Sequence, residues 1–286
     1  MSLAHELSAV LVLAGLLIGS WNESIPVPAA RRSAAGEWIL AGDFHVHAFP
    51  GDGALPPWAL RHEAARAGLD VFTISNHNRV STGRIARWMS RLSDGPIVIV
   101  GQEVTARGFH VIAAGIEERV SWETSPAAVV RAVHEQGGIA IAAHPVRRFW
   151  PAWNDEALGI LDGYERAHPV IDIEKARADL ASFDGRIRAL RPDIAAIGSS
   201  DFHWTGSIGW CRTYVLARER TAAGVVEAVR AGRTVAADRR GHLYGDPALV
   251  NAVEAAGGFI PPPAERLRWL SVGFVWFGLL GLVVLA

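Results

Sequence analysis

Trp38-Ile39-Leu40-Ala41-Gly42-Asp43-Phe44-His45-Val46-His47 joins an apolar run of strand character to two histidines two positions apart. Side chains alternate along an extended chain, so His45 and His47 share one face. The same junction recurs downstream. Apolar runs over 70–74, 96–100, 138–142 and 194–197 each lead, within a few residues, to His77, Glu103, His144 and Asp201 respectively. Further strands are expected over 38–44, 109–114, 160–164 and 212–216, and helices over 57–67, 83–92, 125–136, 171–190 and 221–231. Gly68, Gly137 and Gly232 stand where helices would end. Repeated β–α units argue for a parallel sheet, and so many in one domain argue for a barrel. Residues just past the strand C-termini of such a barrel converge on one mouth.

The residues so gathered are six histidines, two aspartates and a glutamate: His45, His47, Asp52, His77, Glu103, His110, His144, Asp201 and His203. Imidazole nitrogen and carboxylate oxygen are the donors that Zn, Mn and Fe ions take when no thiolate is offered, and one carboxylate can bridge two ions. Each residue alone has an ordinary reading. His110 suits a hydrogen-bonded core histidine, Glu103 a buried ion-pair partner, and Asp52, between Gly51 and Gly53, a turn. Their joint occurrence points to a multinuclear centre. His62 and His134 fall in amphipathic helical patterns and read as solvated.

Half of the 286 residues are hydrophobic, and much of that content lies at the two ends. No charge occurs over 7–21 or over 269–286. The second stretch, as a helix rising about 1.5 Å per residue, would reach roughly the thickness of a bilayer's hydrocarbon core. The expected organisation is a hydrophobic helix over 1–22 (an uncleaved anchor or a secretory signal), a linker over 23–37, a catalytic domain over 38–245, a linker over 246–263 and a C-terminal membrane helix over 264–286. Arg31, Arg32, Arg266 and Arg268 lie on the domain side of the two spans, which favours a membrane protein with its domain in the cytoplasm. Cys211, the only cysteine, excludes an internal disulfide. A net charge of -1 offers no whole-domain basic field, which disfavours nucleic acid as a partner. Protein partners have no signature here.

Several motifs, in order, resemble the PHP (polymerase and histidinol phosphatase) family of metal-dependent phosphoesterases. They are Asp43-Phe44-His45-Val46-His47 with Asp52-Gly53, Ser75-Asn76-His77-Asn78, Gly101-Gln102-Glu103-Val104, and Gly198-Ser199-Ser200-Asp201-Phe202-His203. Asn76 stands where the family more often has Asp, and the last element carries one extra serine. The resemblance spans about residues 45–236 and implies an α/β fold, a distorted (β/α)7 TIM-like barrel, flanked here by the two membrane helices. It implies up to three divalent ions. The first would be held by His45, His47, Glu103 and Asp201, the second by Glu103, His110 and His144, and the third by Asp52, His77 and His203, with Glu103 bridging the first two. Catalysis would centre on Glu103, His45 and Asp201, with metal-activated hydroxide attacking a small phosphorylated substrate such as a nucleoside 3′,5′-bisphosphate or another monoester. Arg147 is a candidate phosphate clamp, His168 an accessory substrate contact, and Glu165 an orienter of a ligand. The rival expectations are a metal-bound, membrane-coupled sensor with little turnover and an exonuclease of the PHP type.

Overall fold

The computed structural model describes residues 3–23, 30–92, 94–172, 174–204, 206–262 and 265–285. They fall into two compact units, Ala29–Ile260 and a unit made of both chain ends.

In the larger unit a single sheet contains strands β1 (Arg31–Arg32), β2 (Trp38–Val46), β3 (Val71–Ile74), β4 (Ile97–Ala106), β5 (Phe109–Ala114), β6 (Ile139–Ala142), β7 (Gly163–Ala167), β8 (Ala195–Gly198), β9 (Arg212–Ala217), β10 (Thr234–Ala237) and β11 (Leu243–Gly245). Its order is β11-β10-β9-β2-β3-β4-β5-β6-β7-β8, with β1 paired to β2. The sheet curls into a nearly closed barrel. β8 meets β9 through a side chain: Gly198 N–H donates to Thr213 Oγ1, and that hydroxyl donates to Gly198 O, both at 2.9 Å.

One core cluster draws Leu40, Phe44, Val71, Ile99, Ile112, Ile141, Ile197 and Val215 from strands all round the sheet, together with Val225 and Val229. These last two lie on a helix over Ala222–Arg230. Outside, helices Pro57–Arg66 and Ser81–Ser90 cover one side of the sheet, and Pro126–Glu135, Asp155–Ile160 and Glu174–Leu190 the other.

Three helices end as their glycines require. Gly68, Gly137 and Gly232 have φ of 73°, 76° and 70°. In each case the next N–H bonds back five residues, as Leu69 to Ala64 O, Gly138 to Val133 O and Arg233 to Ala228 O, closing the same C-terminal motif. Ser125 and Thr221 cap helix starts by accepting from Ala128 N and Gly224 N.

The sheet is mixed, not parallel throughout. β2, β3 and β4 are parallel, as are β6, β7 and β8, but β5 pairs antiparallel with both β4 and β6, and β9 runs antiparallel to β2. Only Arg107 and Gly108 separate β4 from β5, too few residues for a parallel crossover, so a hairpin is forced. The linker expected over 246–263 is instead partly helix. Asp246 accepts from Ala248 N and Leu249 N, Pro247 sits at the first helical position, and the helix Pro247–Ala255 buries Val253. Part of the linker expected over 23–37 is the short β1. The helix expected from 171 begins at Glu174, and residue 173 lies outside the described residues.

In the second unit, helices α1 (Leu3–Glu23) and α2 (Glu265–Leu285) pack antiparallel. A Cβ on Gly15 would stand 2.7 Å from Ser271 O, and one on Gly278 2.6 Å from Ser8 O, so glycine lets the backbones meet. Ser271 Oγ donates to Gly15 O at 2.7 Å. Leu3–Trp21 is long and apolar enough to cross a membrane by length and composition, while Leu270–Leu285 is a shorter apolar stretch among the described residues.

Candidate metal centre

Topology delivers the candidate ligands to one end of the barrel. The β2–β3 ladder shifts register between Asp43 and Val46. This bulge allows Phe44 to join the core cluster while its neighbour His45 joins the polar group at the mouth. β4 and its hairpin partner β5 bring Glu103 and His110 together, and the segments after β3, β6 and β8 add His77, His144 and Asp201.

His45 Nε2 and His47 Nε2 lie 3.1 Å apart. Each is 3.4 Å from Glu103 Oε2, and they are 3.1 and 3.3 Å from Asp201 Oδ1. A cation about 2.0 to 2.1 Å from four tetrahedral ligands sets those ligands roughly 3.3 Å apart. The other oxygen of Glu103, Oε1, is 2.7 Å from His110 Nδ1 and 3.1 Å from His144 Nε2. One carboxylate therefore faces imidazoles with both oxygens, and Oε2 also lies 2.7 Å from His77 Nδ1. A third group surrounds Asp52 Oδ2, which is 3.1 Å from both His77 Nε2 and His203 Nε2. It lies at the open mouth, since the Asp52 and His77 side chains are 41% and 40% exposed while those of His45 and His47 are fully buried.

Two carboxylates hold the inner imidazoles. His45 Nδ1 is 3.0 Å from Glu165 Oε1, and His47 Nδ1 is 3.0 Å from Asp52 Oδ1. Neutral, with Nδ1–H donated outward, both rings would turn an Nε2 lone pair toward the shared space; as they stand, burial is outweighed by the surrounding carboxylates, which raise both pKa values. Glu165 also accepts from the His144 backbone N–H, so it positions two candidate ligand residues at once. Burial disfavours its charge, but the neighbouring His45 and His168 outweigh burial and bring its pKa down to about 2. Burial likewise opposes ionisation of Glu103 and Asp201, yet the imidazoles, His45 foremost, hold both well below the carboxylate range. The His144 pKa is lowered by burial, which keeps its ring neutral with a lone pair to give.

The residues fit a metal. Glu103 Oε2 and Asp201 Oδ1 are buried without a hydrogen-bond partner, a costly arrangement for charged oxygens unless a cation occupies the space between them. His144 and Asp201 also have left-handed backbones, with φ of 26° and 50°. Such conformations persist where surroundings enforce them. Near Asp201 the enforcer is Asp43, which accepts from Ser200 N, Ser200 Oγ, Gly209 N and His45 N and so ties the Asp201 loop to β2. Asn76 explains its departure from Asp. Its oxygen accepts from Ala48 N, and its amide donates to Ala48 O and Pro50 O, holding the loop before Asp52. A carboxylate has no hydrogen to give those carbonyls.

His168 is buried, its Nδ1 accepts from Val170 N, and its Nε2 lies 3.4 Å from Asp201 Oδ2. Arg147 takes an outer position. Its backbone N–H and Nε donate to Asp179, and its side chain is 70% exposed. Phe149 packs its ring 4.5 Å from the rings of both His110 and His144, a contact that no local sequence pattern announced. The double duty of Asp52 was equally hidden. Glu165 did carry a signal, as the acidic residue on the Gly163-Glu165-Ala167 face of a buried strand.

Glu165→Gln keeps the volume but weakens the hold on His45. Metal affinity is expected to fall about 10- to 100-fold, with the circular dichroism spectrum unchanged. Chelator competition checks this, and an unaltered affinity would leave Glu165 only the role of holding the His144 backbone.

Residues 186–234, which carry Asp201, His203, β8 and β9, match the family model described as PHP-associated. An uncharacterized protein of Methanocaldococcus jannaschii is 27% identical over 139 residues, 44% of this chain and 80% of that one. A two-domain protein of Bacteroides vulgatus, described as containing a predicted PHP-like metal-dependent phosphoesterase, superposes with a TM-score of 0.61 at 21% identity. The match covers 80% of this chain and 72% of that one. A shared fold, a PHP-associated segment and candidate ligand motifs that meet in three dimensions all agree with the resemblance to the PHP family.

Proposed function

We propose that this chain is a membrane-anchored, metal-dependent phosphoesterase that hydrolyses a small phosphorylated compound. The observation that carries the reading is the division of Glu103, with Oε2 toward His45 and His47 and Oε1 toward His110 and His144. Two divalent ions, one on each side of Glu103, and a third by Asp52, His77 and His203 are the proposed complement. When bound, such ions supply Lewis acidity and lower the pKa of water toward neutrality. The chain's own part is to keep the ligands in place. Glu165 and Asp52 orient His45 and His47, Asp43 pins the Asp201 loop, and Phe149 screens His110 and His144 from water.

The outer group around Asp52 and His77 is accessible to a compact ester. Exposed rings of Phe49 and Trp204, close in sequence to His47 and His203, favour a substrate with a planar base, such as a nucleoside 3′,5′-bisphosphate. The same rings would suit a nucleic-acid end, the second reading. Arg147 is proposed as a phosphate contact, with Asp179 fixing Nε and the outer guanidinium edge left to donate.

Metal-loaded full-length protein is expected to hydrolyse phosphate monoesters, to lose that activity on chelation, and to show a raised KM in Arg147→Ala. No turnover across nucleotides, sugar phosphates and aryl phosphates would overturn the reading in favour of a metal-bound sensor. Faster release from oligonucleotide ends than from mononucleotides would favour the second reading.

Membrane attachment is proposed to use α1 and α2 as an antiparallel pair, supported by their close glycine contacts and by the exposure of Leu7, Leu13, Leu17, Phe277, Leu280 and Val284. Arg31, Arg32, Arg266 and Arg268 favour a cytoplasmic domain. Deleting residues 269–286 is expected to weaken retention in a membrane fraction while Ala29–Ile260 stays folded. Full retention would leave α1 as the sole anchor.

A further inference from the structure

Arg212, at the start of β9, is the largest fully buried side chain among the described residues. The acids that favour its charge, Asp43 and Asp70, act on it through space rather than in an ion pair. A guanidinium so placed is costly unless other groups compensate it, and here two carbonyls do. Nε donates to Gly209 O at 2.9 Å, and Nη2 donates to Ala67 O at 3.1 Å. Ala67 caps the C-terminus of the helix Pro57–Arg66. Carbonyls at that end lack intrahelical partners and carry the negative end of the helix dipole, which suits a buried cation.

Gly209 is gripped from both sides. Its N–H donates to Asp43 Oδ2 at 2.8 Å, while its carbonyl accepts from Arg212. An anion on the N–H and a cation on the carbonyl make charge-assisted bonds, stronger than the neutral ones of an ordinary turn. Space is as tight as the bonding. Gly209 has φ of 69°, and a Cβ there would stand 2.9 Å from Leu69 Cδ2 and 3.2 Å from Arg212 Nη2. Glycine meets both demands.

The chain so held leads from β8 to β9 and carries Asp201 and His203. Its outgoing part is tied to the β2 side of the mouth. Ser200 N and Oγ donate to Asp43, while Phe202 O and His203 O accept from His47 N and Ala54 N. Its return is tied at Gly209. Asp43 Oδ2 accepts from both Ser200 Oγ and Gly209 N, so one oxygen draws the two ends of the segment together. Arg212 supplies the opposing hold that keeps Gly209 within reach of it. Glu103, His110 and His144 come from β4, β5 and the residues after β6, outside this clamp.

We propose that Arg212 is a positioning residue of the metal centre. Through Gly209 it sets the segment that presents Asp201 and His203, and so governs ion binding at the groups these two residues join. The group of Glu103, His110 and His144 is left in place. The inference rests on the metal-dependent reading of the site but needs no turnover.

The test is a cobalt(II) titration of the full-length, metal-stripped chain, followed by visible absorption, with thermal melting as the check on folding. Arg212→Met keeps a similar length without the charge or the donors. Affinity is expected to fall about 10- to 100-fold for at least one ion per chain, with a changed absorption band, while at least one other ion binds as in the parent. Val129→Ala is the control, a cavity in the core cluster beside the helix Pro126–Glu135 that lowers stability away from Asp201. Its cobalt affinities should match the parent's. Arg212→Lys covers the case in which the methionine variant does not fold. An ammonium lacks the planar fork that serves two carbonyls, so the same ion should weaken, by a smaller factor. Unchanged affinities in a folded Arg212 variant overturn the proposal, as does an equal loss at every ion or a matching loss in Val129→Ala. A parent chain that takes up no cobalt removes the metal reading itself, and the inference with it.

Discussion

Glu103→Gln is expected to strip metal and activity together. The carboxylate offers an acceptor oxygen to each imidazole pair, Oε2 to His45 and His47 and Oε1 to His110 and His144. Glutamine keeps one acceptor and replaces the other with an amide that has only hydrogens to present, so one pair would face a donor in place of an anion. The change also removes a formal charge from a buried site that collects cations. Bound metal should fall by at least one ion per chain. Turnover should drop by more than the roughly 100-fold expected when a partner of a ligand is lost. Elemental analysis and rates on one phosphate monoester check both parts. Unchanged metal content would sink the bridging role and would leave Glu103 as an internal partner for five histidines, His45, His47, His77, His110 and His144.

Gly198→Ala is expected to destabilise the barrel at its seam. A Cβ there would stand 2.2 Å from Arg212 O and 3.0 Å from Ala237 O, both backbone atoms of adjoining strands. No rotamer change relieves a clash with backbone, so β8 must move away from β9 and β10. The two hydrogen bonds to Thr213 Oγ1 would be lost with it. The cost is about 3 kcal/mol or more, at the upper end of overpacking effects. Denaturant unfolding measures it. Because Asp201 lies three residues on, metal affinity should fall in the same variant. A loss below about 1 kcal/mol would mean that the seam is looser than a side-chain-closed barrel allows.

Much of the centre was legible because metal ligands come from a short list of residue types and strands are apolar. A histidine or carboxylate just after an apolar run therefore stands out. His45, His77, His144 and Asp201 stand out in this way as candidate ligands, and the other candidates followed from the motif order. Helix ends were legible for a similar reason, since Gly68, Gly137 and Gly232 occupy backbone conformations that other residues adopt only with strain.

Harder to read were polar residues inside strands. β4 continues from Val100 through Gly101, Gln102 and Glu103 to Ala106, although burying Gln102 and Glu103 looks unfavourable locally. Gln102 is compensated by Val120, 18 residues away along the chain: its amide donates to Val120 O and its oxygen accepts from Val120 N. The helix Pro247–Ala255 was hidden among proline and glycine because its reason is the burial of Val253 against the sheet.

Composition and local pattern thus established which residues could bind metal, the β–α alternation that carries them and the apolar ends of the chain. Folding decided the rest: that β5 turns back on β4, that Asp52 and Glu165 each grip the far nitrogen of a histidine, and that Asp43 and Arg212 hold Gly209 from opposite sides. A residue's chemical type is local, whereas the partner that orients it, or neutralises its burial, is brought from a distant part of the chain only when the barrel closes.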